Sequence, residues 1–495
     1  MEHNTYGDST HESLSKMILT EENMLRILHT SDWHLGRSLL TKRRHAEHKA
    51  FLEWLICFIT EQQITVLLVS GDIFDTATPG NAAQQLYYDF LTKLGDTPCR
   101  HVVITAGNHD SPSFLGASKG ILARCGVHVV GATPHAEETV FKLDSPQEEG
   151  GSLIVCAIPF LRERELLKSL PGEAFEEKEQ RFLEGITRYY ADAAAKAEEL
   201  RQRLGDDTPL IMLGHLFTAN GTIEEGDGVR TLNIGSLQGI PASIFPDTAD
   251  YIALGHLHSA QKVAGNEHIR YSGSPFPMSF NESGRQKKVC LLMAEGRHIQ
   301  VEEVEVPCFQ RLSRVQGTLD VITEHLTMLM AEGESIWVEV EYTGAELIGN
   351  LRDKLYGLVE GSALEILRIK DRRMMDEVRK LQIPSMDLEE MTVDTVFQQF
   401  LEEKQIPEEQ HANLTQLYDS ILYALYQEGE AEAEPKAEPK AGPEAGQGAG
   451  REAGLGTDRE AGLGVEPRVE PGATPEEDQR VGQRTQQGLG QGDDI

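Results

Sequence analysis

Five apolar runs in this chain are each followed by a short cluster of residues that bind metal ions. The clusters lie, in chain order, at Asp32 and His34, at Asp72 and Asp75, at Asn108, His109 and Asp110, at His215, and at His256 and His258. One such cluster occurs easily by chance, whereas five in succession predict a metal site. So many side chains exceed the needs of one ion. Two neighbouring ions can hold a phosphate and its attacking oxygen in line.

The chemistry of this ligand set narrows the choice of metal. Carboxylates, imidazoles and one amide suit Mn²⁺, with Fe²⁺ or Zn²⁺ as alternatives and Mg²⁺ as a poorer match. A carboxylate can use both of its oxygens, and we expect Asp72 to bridge the two ions. Taken singly, each cluster has a simpler interpretation: Asp32 as a helix cap, His34 as a surface histidine, and the sequence GNHD as a tight turn.

The apolar runs before the clusters indicate buried strands, because they are short, free of internal proline and rich in Val, Ile and Leu. In open α/β sheets, ligands bind beyond the carboxyl ends of the strands, which is where each cluster lies. Glycines precede the ligands where the backbone must turn sharply and approach closely. These glycines are Gly71, Gly107, Gly214 and Gly255.

Helical patterns lie between the predicted strands. Phe51, Leu52, Leu55 and Ile59 recur at helical spacing between the first two clusters. A second helical stretch covers about 176–204 and ends at Gly205. Strand, helix and strand in succession predict parallel pairing through right-handed crossovers, so the residues alone indicate an α/β fold.

Whole motifs surround these clusters, and in chain order they are HTSDWHLGR, VSGDIFDTATP, AGNHDSP, IPFLRERE, GHLFTANG, DYIALGHLHSAQ and IRYSGSPFPMSFNE. With these motifs the chain resembles the calcineurin-like metallophosphoesterases. More closely it resembles the SbcD family of bacterial nuclease subunits, which is related to the Mre-type nucleases. The resemblance runs from about Met24 to about Glu428 and implies a four-layer α/β/β/α sandwich.

The resemblance also implies a role for each residue of the clusters. The first ion would be held by Asp32, His34, Asp72 and His258, and the second by Asp72, Asn108, His215 and His256. His109 would lie beside the scissile phosphate and stabilise or protonate the leaving oxygen, with Asp75 or Asp110 as its orienting partner. Histidine is the usual proton donor in such chemistry. A plain ligand or a supporting hydrogen bond is the alternative role for His109.

The chain of 495 residues is long enough for several domains. We expect an N-terminal polar extension, with Met24 as an alternative start, then the nuclease domain, a small α/β capping domain, a helical partner-docking segment and a disordered low-complexity tail. Their respective bounds are 1–23, 24–305, 306–375, 386–428 and 429–495.

The two segments before the tail leave alternatives open. In the capping domain we expect a strand at SIWVEVEY, a helix at AELIGNLRDKLYGLVE and a strand at ALEILRIKD. By resemblance this domain presents DNA to the metals, although it could be a dimerisation or packing module. In the docking segment we expect two helices separated at Pro407. The broad apolar face of the second helix would lie in a core or in a partner groove.

The net charge of −34 argues against broad, nonspecific DNA affinity. The tail contributes 15 acidic and 7 basic residues, which is −8 of this total. Local basic groups could contact phosphate or form a solvated face. A protein with low DNA affinity needs a partner that binds the DNA. The basic groups are Arg37, Lys42, Arg43 and Arg44 after the first ligands, and Lys370, Arg372 and Arg373 later in the chain.

The compartment is expected to be the bacterial cytoplasm, with nucleoid association during activity. The sequence contains no apolar run of about 18 residues and no signal-peptide pattern. Its six cysteines are scattered without a CxxC pair, which indicates reduced and mostly buried thiols.

The leading hypothesis is a Mn²⁺-dependent DNA nuclease subunit. The resemblance implies 3′ to 5′ exonuclease activity on double strands, endonuclease activity on single strands and hairpins, and an SMC-like ATPase partner of the SbcC type. A homodimer within a heterotetramer would process DNA ends in replication, recombination and repair. ATP would be bound by another chain, because the pattern GxxxxGK[ST] is absent.

Two other hypotheses use the same residues. Another dinuclear metallophosphoesterase would act on a phosphoprotein or a small phosphodiester. The protein-phosphatase pattern GDxVDRG is absent, however, and such an enzyme needs neither a cap nor docking helices. A scaffold with a decayed metal site is the third hypothesis, although every motif position still holds a competent residue.

Overall fold

The computed structural model describes residues 24–132, 135–144, 151–167, 173–219, 239–346 and 348–372. The expected N-terminal extension, docking helices and low-complexity tail lie outside the described residues, as does Arg373. Within the described ranges, no helix combines the length and apolarity needed to cross a membrane.

The described strands are numbered here in chain order. They are β1 Leu25–Thr30, β2 Ser38–Leu39, β3 Lys42–Arg43, β4 Val66–Ser70, β5 His101–Thr105, β6 Val127–Val130, β7 Val140–Asp144, β8 Ser152–Ala157, β9 Leu210–His215, β10 Tyr251–Gly255, β11 Gln261–Val263, β12 Asn266–Tyr271, β13 Lys288–Glu295, β14 His298–Glu305, β15 Arg311–Gly317, β16 Ile336–Tyr342 and β17 Leu364–Asp371. All five strands expected before the ligand clusters are confirmed, as β1, β4, β5, β9 and β10.

The α-helices of the described part are α1 His45–Glu61, α2 Asn81–Leu94, α3 Pro112–Ala117, α4 Lys119–Leu122, α5 Glu163–Leu166, α6 Phe175–Leu204, α7 Leu319–Glu332 and α8 Leu351–Val359. The expected helices around Phe51 and over 176–204 are confirmed as α1 and α6. Gly205 follows α6, with φ +133°, a conformation that favours glycine over residues with a Cβ.

Two six-stranded sheets carry the ligand clusters. The first has the order β14-β13-β1-β4-β5-β6, and the second has the order β11-β12-β10-β9-β8-β7. The strands β1, β4 and β5 are parallel neighbours, and so are β9 and β10. Their carboxyl ends therefore bring distant parts of the sequence to shared edges, as the βαβ pattern predicts.

The sheets stack face to face, with helices on their outer faces. Side chains on alternate positions of a strand point to opposite faces, so Leu67 of β4 packs with Phe51 of α1. Leu68 belongs to the core between the sheets, together with Ile211 of β9. Tyr190 of α6 covers the outer face of the second sheet. This is the expected α/β/β/α sandwich.

Residues after the sandwich form a separate three-stranded parallel sheet of β15, β16 and β17. The helix expected at AELIGNLRDKLYGLVE is too long, because α8 begins only at Leu351. Asn350 adopts a left-handed φ of 55° directly before it, which interrupts a right-handed helix. The helix α7 was not predicted from the sequence.

This small sheet contacts the sandwich through a limited surface. Leu39, Phe280 and Leu312 form a small apolar cluster. Lys42 pairs with Glu365 at 2.5 Å, with both side chains well exposed.

The expectation that most cysteines are buried is wrong, because only half of them are. Cys57, Cys125 and Cys308 are exposed, whereas the other three are buried.

Candidate metal centre

One half of the site is formed by nitrogen and oxygen atoms that converge. Oδ1 of Asn108 lies 3.0 Å from Nε2 of His215 and 3.0 Å from Nδ1 of His256. Oδ2 of Asp72 lies 3.4 Å from the same His215 nitrogen. The four residues expected at the second ion are therefore together, although they come from four different strand ends.

The other half adjoins the first through Asp72. Nε2 of His34 lies 3.2 Å from Nε2 of His258 and 3.6 Å from Oδ2 of Asp72. Ligand atoms of Asp32, His34 and His258 all lie within 4.8 Å of one another. The Asp72 carboxylate thus reaches both groups, which is the position expected of a bridging ligand. His109 also groups with His34 and Asp72 within the same distance, so proximity alone leaves its role open.

The backbone is strained at the ligands themselves. Asp32, His34, Asp72 and His256 all have positive φ angles, of 54°, 44°, 51° and 105°. Each such non-glycine residue costs of order 1–3 kcal/mol and persists only where the surrounding structure holds it. Here the first two ligand loops hold each other, because Asp32 N–H donates to Gly71 O and His34 N–H donates to Asp72 O, both at 3.0 Å.

Two glycines allow the close approach that the sequence predicted. A Cβ atom on Gly107 would lie 2.1 Å from Oδ1 of Asp72, and one on Gly255 would lie 1.9 Å from the carbonyl oxygen of Ser70. Both distances are far shorter than a carbon atom tolerates. Any side chain at either position would therefore displace the ligand loops.

Hydrogen bonds to neighbouring groups orient the side chains of the proposed ligands. Nδ1 of His215 donates to the carbonyl oxygen of Ser70 at 2.8 Å, which directs Nε2 toward Asn108 and Asp72. The His256 N–H donates to both carboxylate oxygens of Asp32 at 3.1 Å. The His109 N–H donates to Oδ1 of Asp72 at 2.9 Å. Such outer contacts fix ligand orientation in metal sites.

The electrostatics of the site call for positive charge. Burial raises the pKa of Asp32 to about 7. Burial also acts to raise the pKa of Asp72, but His215 and other nearby histidines hold it well below its usual range. Burial lowers the pKa of His215, yet the Asp72 carboxylate outweighs this effect and raises it to about 9. The carboxylates of Asp32 and Asp72 are buried close together, and buried charges are paired with an opposite charge or coordinate a metal.

The remaining imidazoles are suited to bind metal as neutral ligands. Burial lowers the pKa of His256 to about 3 and holds that of His258 well below its usual range. Nε2 of His256 is buried and lacks a hydrogen-bond partner among the described residues. Neutral imidazoles beside carboxylates and an amide oxygen form a ligand set that suits divalent ions of the Mn²⁺, Fe²⁺ or Zn²⁺ type.

The two aspartates expected to orient His109 behave differently. Nδ1 of His109 lies 2.8 Å from the main-chain carbonyl oxygen of Asp75. The Asp75 carboxylate instead lies 3.3 Å from Nδ1 of His34 and 2.8 Å from Arg37. Asp110 is engaged elsewhere, because its carboxylate accepts the N–H groups of the residues at 73, 74 and 107. It joins the second and third ligand loops.

Arg162 has a role that the sequence did not indicate. Its Nη2 donates to the carbonyl oxygen of Asp110 at 3.0 Å and to that of Gly107 at 3.4 Å. These carbonyls flank Asn108 and His109, so the guanidinium holds both ends of their turn. The motif IPFLRERE was visible in the sequence, but nothing in its pattern says that an arginine binds main-chain oxygens.

The basic group after the first ligands is only partly available to DNA. Arg44 is 1 % exposed. Its guanidinium binds both oxygens of Glu47 and stacks over Phe276 at 4.7 Å. Its expected DNA contact is therefore wrong, because it is a buried structural ion pair. Arg43 is exposed, and Arg37 is partly exposed beside Asp75, so both remain candidates.

Comparison with known proteins agrees with this geometry. The family model for calcineurin-like phosphoesterases matches residues 25–260, and the model described as the type 5 capsule protein repressor C-terminal domain matches residues 308–405. The SbcD subunit of the nuclease SbcCD from Escherichia coli K12 is 38 % identical over 412 residues, which cover 82 % of this chain and 100 % of the relative.

More distant bacterial relatives carry the same name. The SbcD subunit from Rhodobacter capsulatus is 36 % identical, over 56 % of this chain and 69 % of the relative. That from Bacillus subtilis is 30 % identical, over 65 % of this chain and 80 % of the relative. The match to the Escherichia coli relative over 412 residues and the family model at residues 308–405 both extend beyond the sandwich that holds the ligand clusters.

Proposed function

The chain belongs to the SbcD family of nuclease subunits, and from this premise we propose that it is the Mn²⁺-dependent DNA nuclease of a two-component machine. It is a phosphodiester hydrolase with a dinuclear divalent metal site. DNA as substrate, Mn²⁺ as the working ion and the individual residue roles form the proposal.

One observation carries it above all others. Asp72 lies within 3.6 Å of His34 on one side and within 3.4 Å of His215 on the other. A buried carboxylate between two groups of imidazoles is the arrangement that holds two ions side by side. Paired ions stabilise both the attacking and the leaving oxygen of an in-line displacement at phosphorus.

The residues divide the chemistry between them. Bound ions would activate water and neutralise phosphate charge. Asp32, His34, Asp72 and His258 would hold one ion, and Asp72, Asn108, His215 and His256 the other. His109 lies at the partly exposed edge of the site, where it would give a proton to the leaving oxygen of the DNA chain. Its Nδ1 donates to the carbonyl oxygen of Asp75, so Nε2 faces away from that contact.

An SbcC-type ATPase fits the charge of the chain as its partner. A net charge of −34 opposes unassisted DNA binding, and a positively charged partner would supply the grip. In this proposal the chain is one half of a homodimer within a heterotetramer in the bacterial cytoplasm. It cuts double-stranded ends from 3′ to 5′ and opens hairpins during replication, recombination and repair.

The decisive experiment compares the wild-type chain with His109→Ala on end-labelled linear and hairpin DNA. Reactions contain Mn²⁺ with or without a chelator, and a parallel set contains the ATPase partner and ATP. We expect chelator-sensitive cleavage by the wild type, strong stimulation by the partner, and loss of cleavage in His109→Ala.

The opposite pattern would favour the alternative phosphoesterase. In that case the wild type would hydrolyse bis-p-nitrophenyl phosphate but leave every DNA substrate intact, with and without the partner. Metal analysis of the purified chain separates both enzymes from a scaffold. Two ions per chain fit either enzyme, whereas none would fit the scaffold.

A further inference from the structure

Lys287 is a buried cation that contacts the main chain of the proposed ligand His258, and the proposed chemistry gives it no role. Its side chain is 8 % exposed, and it forms an ion pair with Glu282, whose side chain is fully buried. Its Nζ also donates to the carbonyl oxygen of His258 and to Oγ of Ser274, both at 3.0 Å. The amine thus bridges a loop and a ligand.

The carbonyl oxygen of His258 accepts hydrogen bonds from two different groups. The Ser274 N–H donates to it at 3.0 Å, and so does Nζ of Lys287 at 3.0 Å. Oγ of Ser274 lies 3.3 Å away, but its single proton has a closer acceptor in the carbonyl oxygen of Phe276 at 2.9 Å. A carbonyl group held by two donors has little freedom to rotate. These hydrogen bonds fix the main chain of His258, from which the imidazole extends, and so help to position the ring. Nε2 of this ring lies 3.2 Å from Nε2 of His34.

The loop that supplies Ser274 and Glu282 is anchored at several points. Glu282 accepts the Met278 N–H at 3.2 Å. The guanidinium of Arg44 donates to the carbonyl oxygen of Pro277 and lies over the Phe276 ring at 4.7 Å. The loop is therefore a rigid support, and Lys287 connects this support to the backbone of His258.

A buried lysine–glutamate pair contributes little net stability, because the desolvation of both charges offsets their attraction. Its value lies in fixed geometry. We propose that Lys287 and Glu282 are positioning residues that aim His258 at the ion it shares with Asp32 and His34. This inference rests on the proposed metal centre, since it names the support of one of its two ions.

The test measures Mn²⁺ binding rather than catalysis. The double variant Lys287→Met with Glu282→Gln removes the donor to His258 without leaving an unpaired carboxylate in the interior. The matched control is Lys288→Met, which changes the neighbouring lysine, whose side chain is 33 % exposed and pairs with Glu303. Calorimetric titration of the full chain gives the number of ions and the Kd of each.

We expect two ions in the wild type and in Lys288→Met. In the double variant one ion should keep its Kd, while the other binds at least about tenfold more weakly, as is typical when an outer support of a ligand is lost. Ser274→Ala removes the hydroxyl that accepts a hydrogen bond from Nζ of Lys287 and keeps both charges of the buried pair. It should weaken the same single ion and serves if the double variant fails to fold.

Three results would overturn the inference. Unchanged Kd values in the folded variants would mean that His258 needs no support from Lys287. Equal weakening of both ions, with a lower unfolding midpoint in chelator, would indicate a general structural role. Absence of Mn²⁺ binding in the wild type would overturn the proposed metal centre as well, and this outcome is visible before any variant is made.

Discussion

Asp75 contacts His109 through its main chain and not through its carboxylate. Its carbonyl oxygen lies 2.8 Å from Nδ1 of His109, whereas its carboxylate lies 3.3 Å from Nδ1 of His34. One residue thus orients the proposed proton donor and a proposed metal ligand by separate atoms. Substitution changes only the side chain, so mutation can separate these two functions.

Asp75→Asn should weaken metal binding and leave His109 in place. The amide loses the negative charge beside His34, and loss of such an outer partner typically costs 10–100-fold in metal affinity. At saturating Mn²⁺ the single-turnover cleavage rate should return close to that of the wild type. Calorimetry gives the affinity and rapid quench gives the rate. Full affinity with a low rate would contradict this assignment.

His109→Asn should affect substrates according to their leaving groups. Loss of a general acid lowers the rate by roughly 10²–10⁴-fold when the leaving oxygen needs a proton, as it does in DNA. The p-nitrophenolate of bis-p-nitrophenyl phosphate leaves without one, so its release should slow much less. Both rates are measured in saturating Mn²⁺. Equal losses on both substrates, or loss of a bound ion, would instead make His109 a ligand.

Gly107→Ala should abolish binding of both ions. The new methyl group would meet Oδ1 of Asp72 at 2.1 Å, and Asp72 is the residue that reaches both halves of the site. Gly116→Ala is the matched control, because a Cβ there meets nothing within 4 Å. Metal content after dialysis against Mn²⁺ distinguishes the two variants. Two retained ions in Gly107→Ala would disprove the bridging position of Asp72.

The adjacent residues Arg43 and Arg44 should respond in opposite ways. Arg44→Ala leaves Glu47 buried without its cation, which destabilises a protein by about 3–5 kcal/mol. Arg43 is exposed, so Arg43→Ala should change the free energy of unfolding by less than about 0.5 kcal/mol. Urea unfolding measures both effects. If Arg43 contacts phosphate, its loss should also make DNA binding by the complex less sensitive to salt.

The ligand clusters could be predicted because they leave a local signal. Each lies directly after a run of apolar residues, and parallel strands bring such ends together. The bridging position was expected of Asp72 because a carboxylate has two oxygens, and in the structure Asp72 follows β4, which lies between β1 and β5 in its sheet. The strand pattern and the ligand types were sufficient for this part of the site.

The residues that hold the ligand loops in place could not be predicted from such a local pattern. Lys287 binds a carbonyl 29 positions earlier in the chain, and Arg44 reaches one 233 positions later. A side chain that binds a distant main-chain oxygen produces no periodicity. Arg44 was therefore interpreted as part of a basic cluster, although its pairing with Glu47 at a helical spacing was already visible in the sequence.

His29 gives the fold a dependence on pH that is separate from the metal centre. The imidazole is fully buried between the sheets, with Nδ1 3.1 Å from the Tyr251 hydroxyl. Burial lowers its pKa from 6.5 to about 3. Below pH 6.5 the unfolded chain binds a proton at His29, whereas the folded chain binds it only near pH 3. The stability from neutral His29 is therefore complete above that pH and is lost as the pH falls toward 3.

His29→Gln should remove this contribution to the pH dependence, because glutamine has no proton to bind in either state. Between about pH 6 and pH 5 one such proton changes the free energy of unfolding by up to about 1.4 kcal/mol per pH unit. The variant's slope should be smaller than the wild-type slope by nearly this amount. Urea unfolding in chelator measures both slopes without metal release. Identical slopes would mean that folded His29 binds its proton near the ordinary pKa.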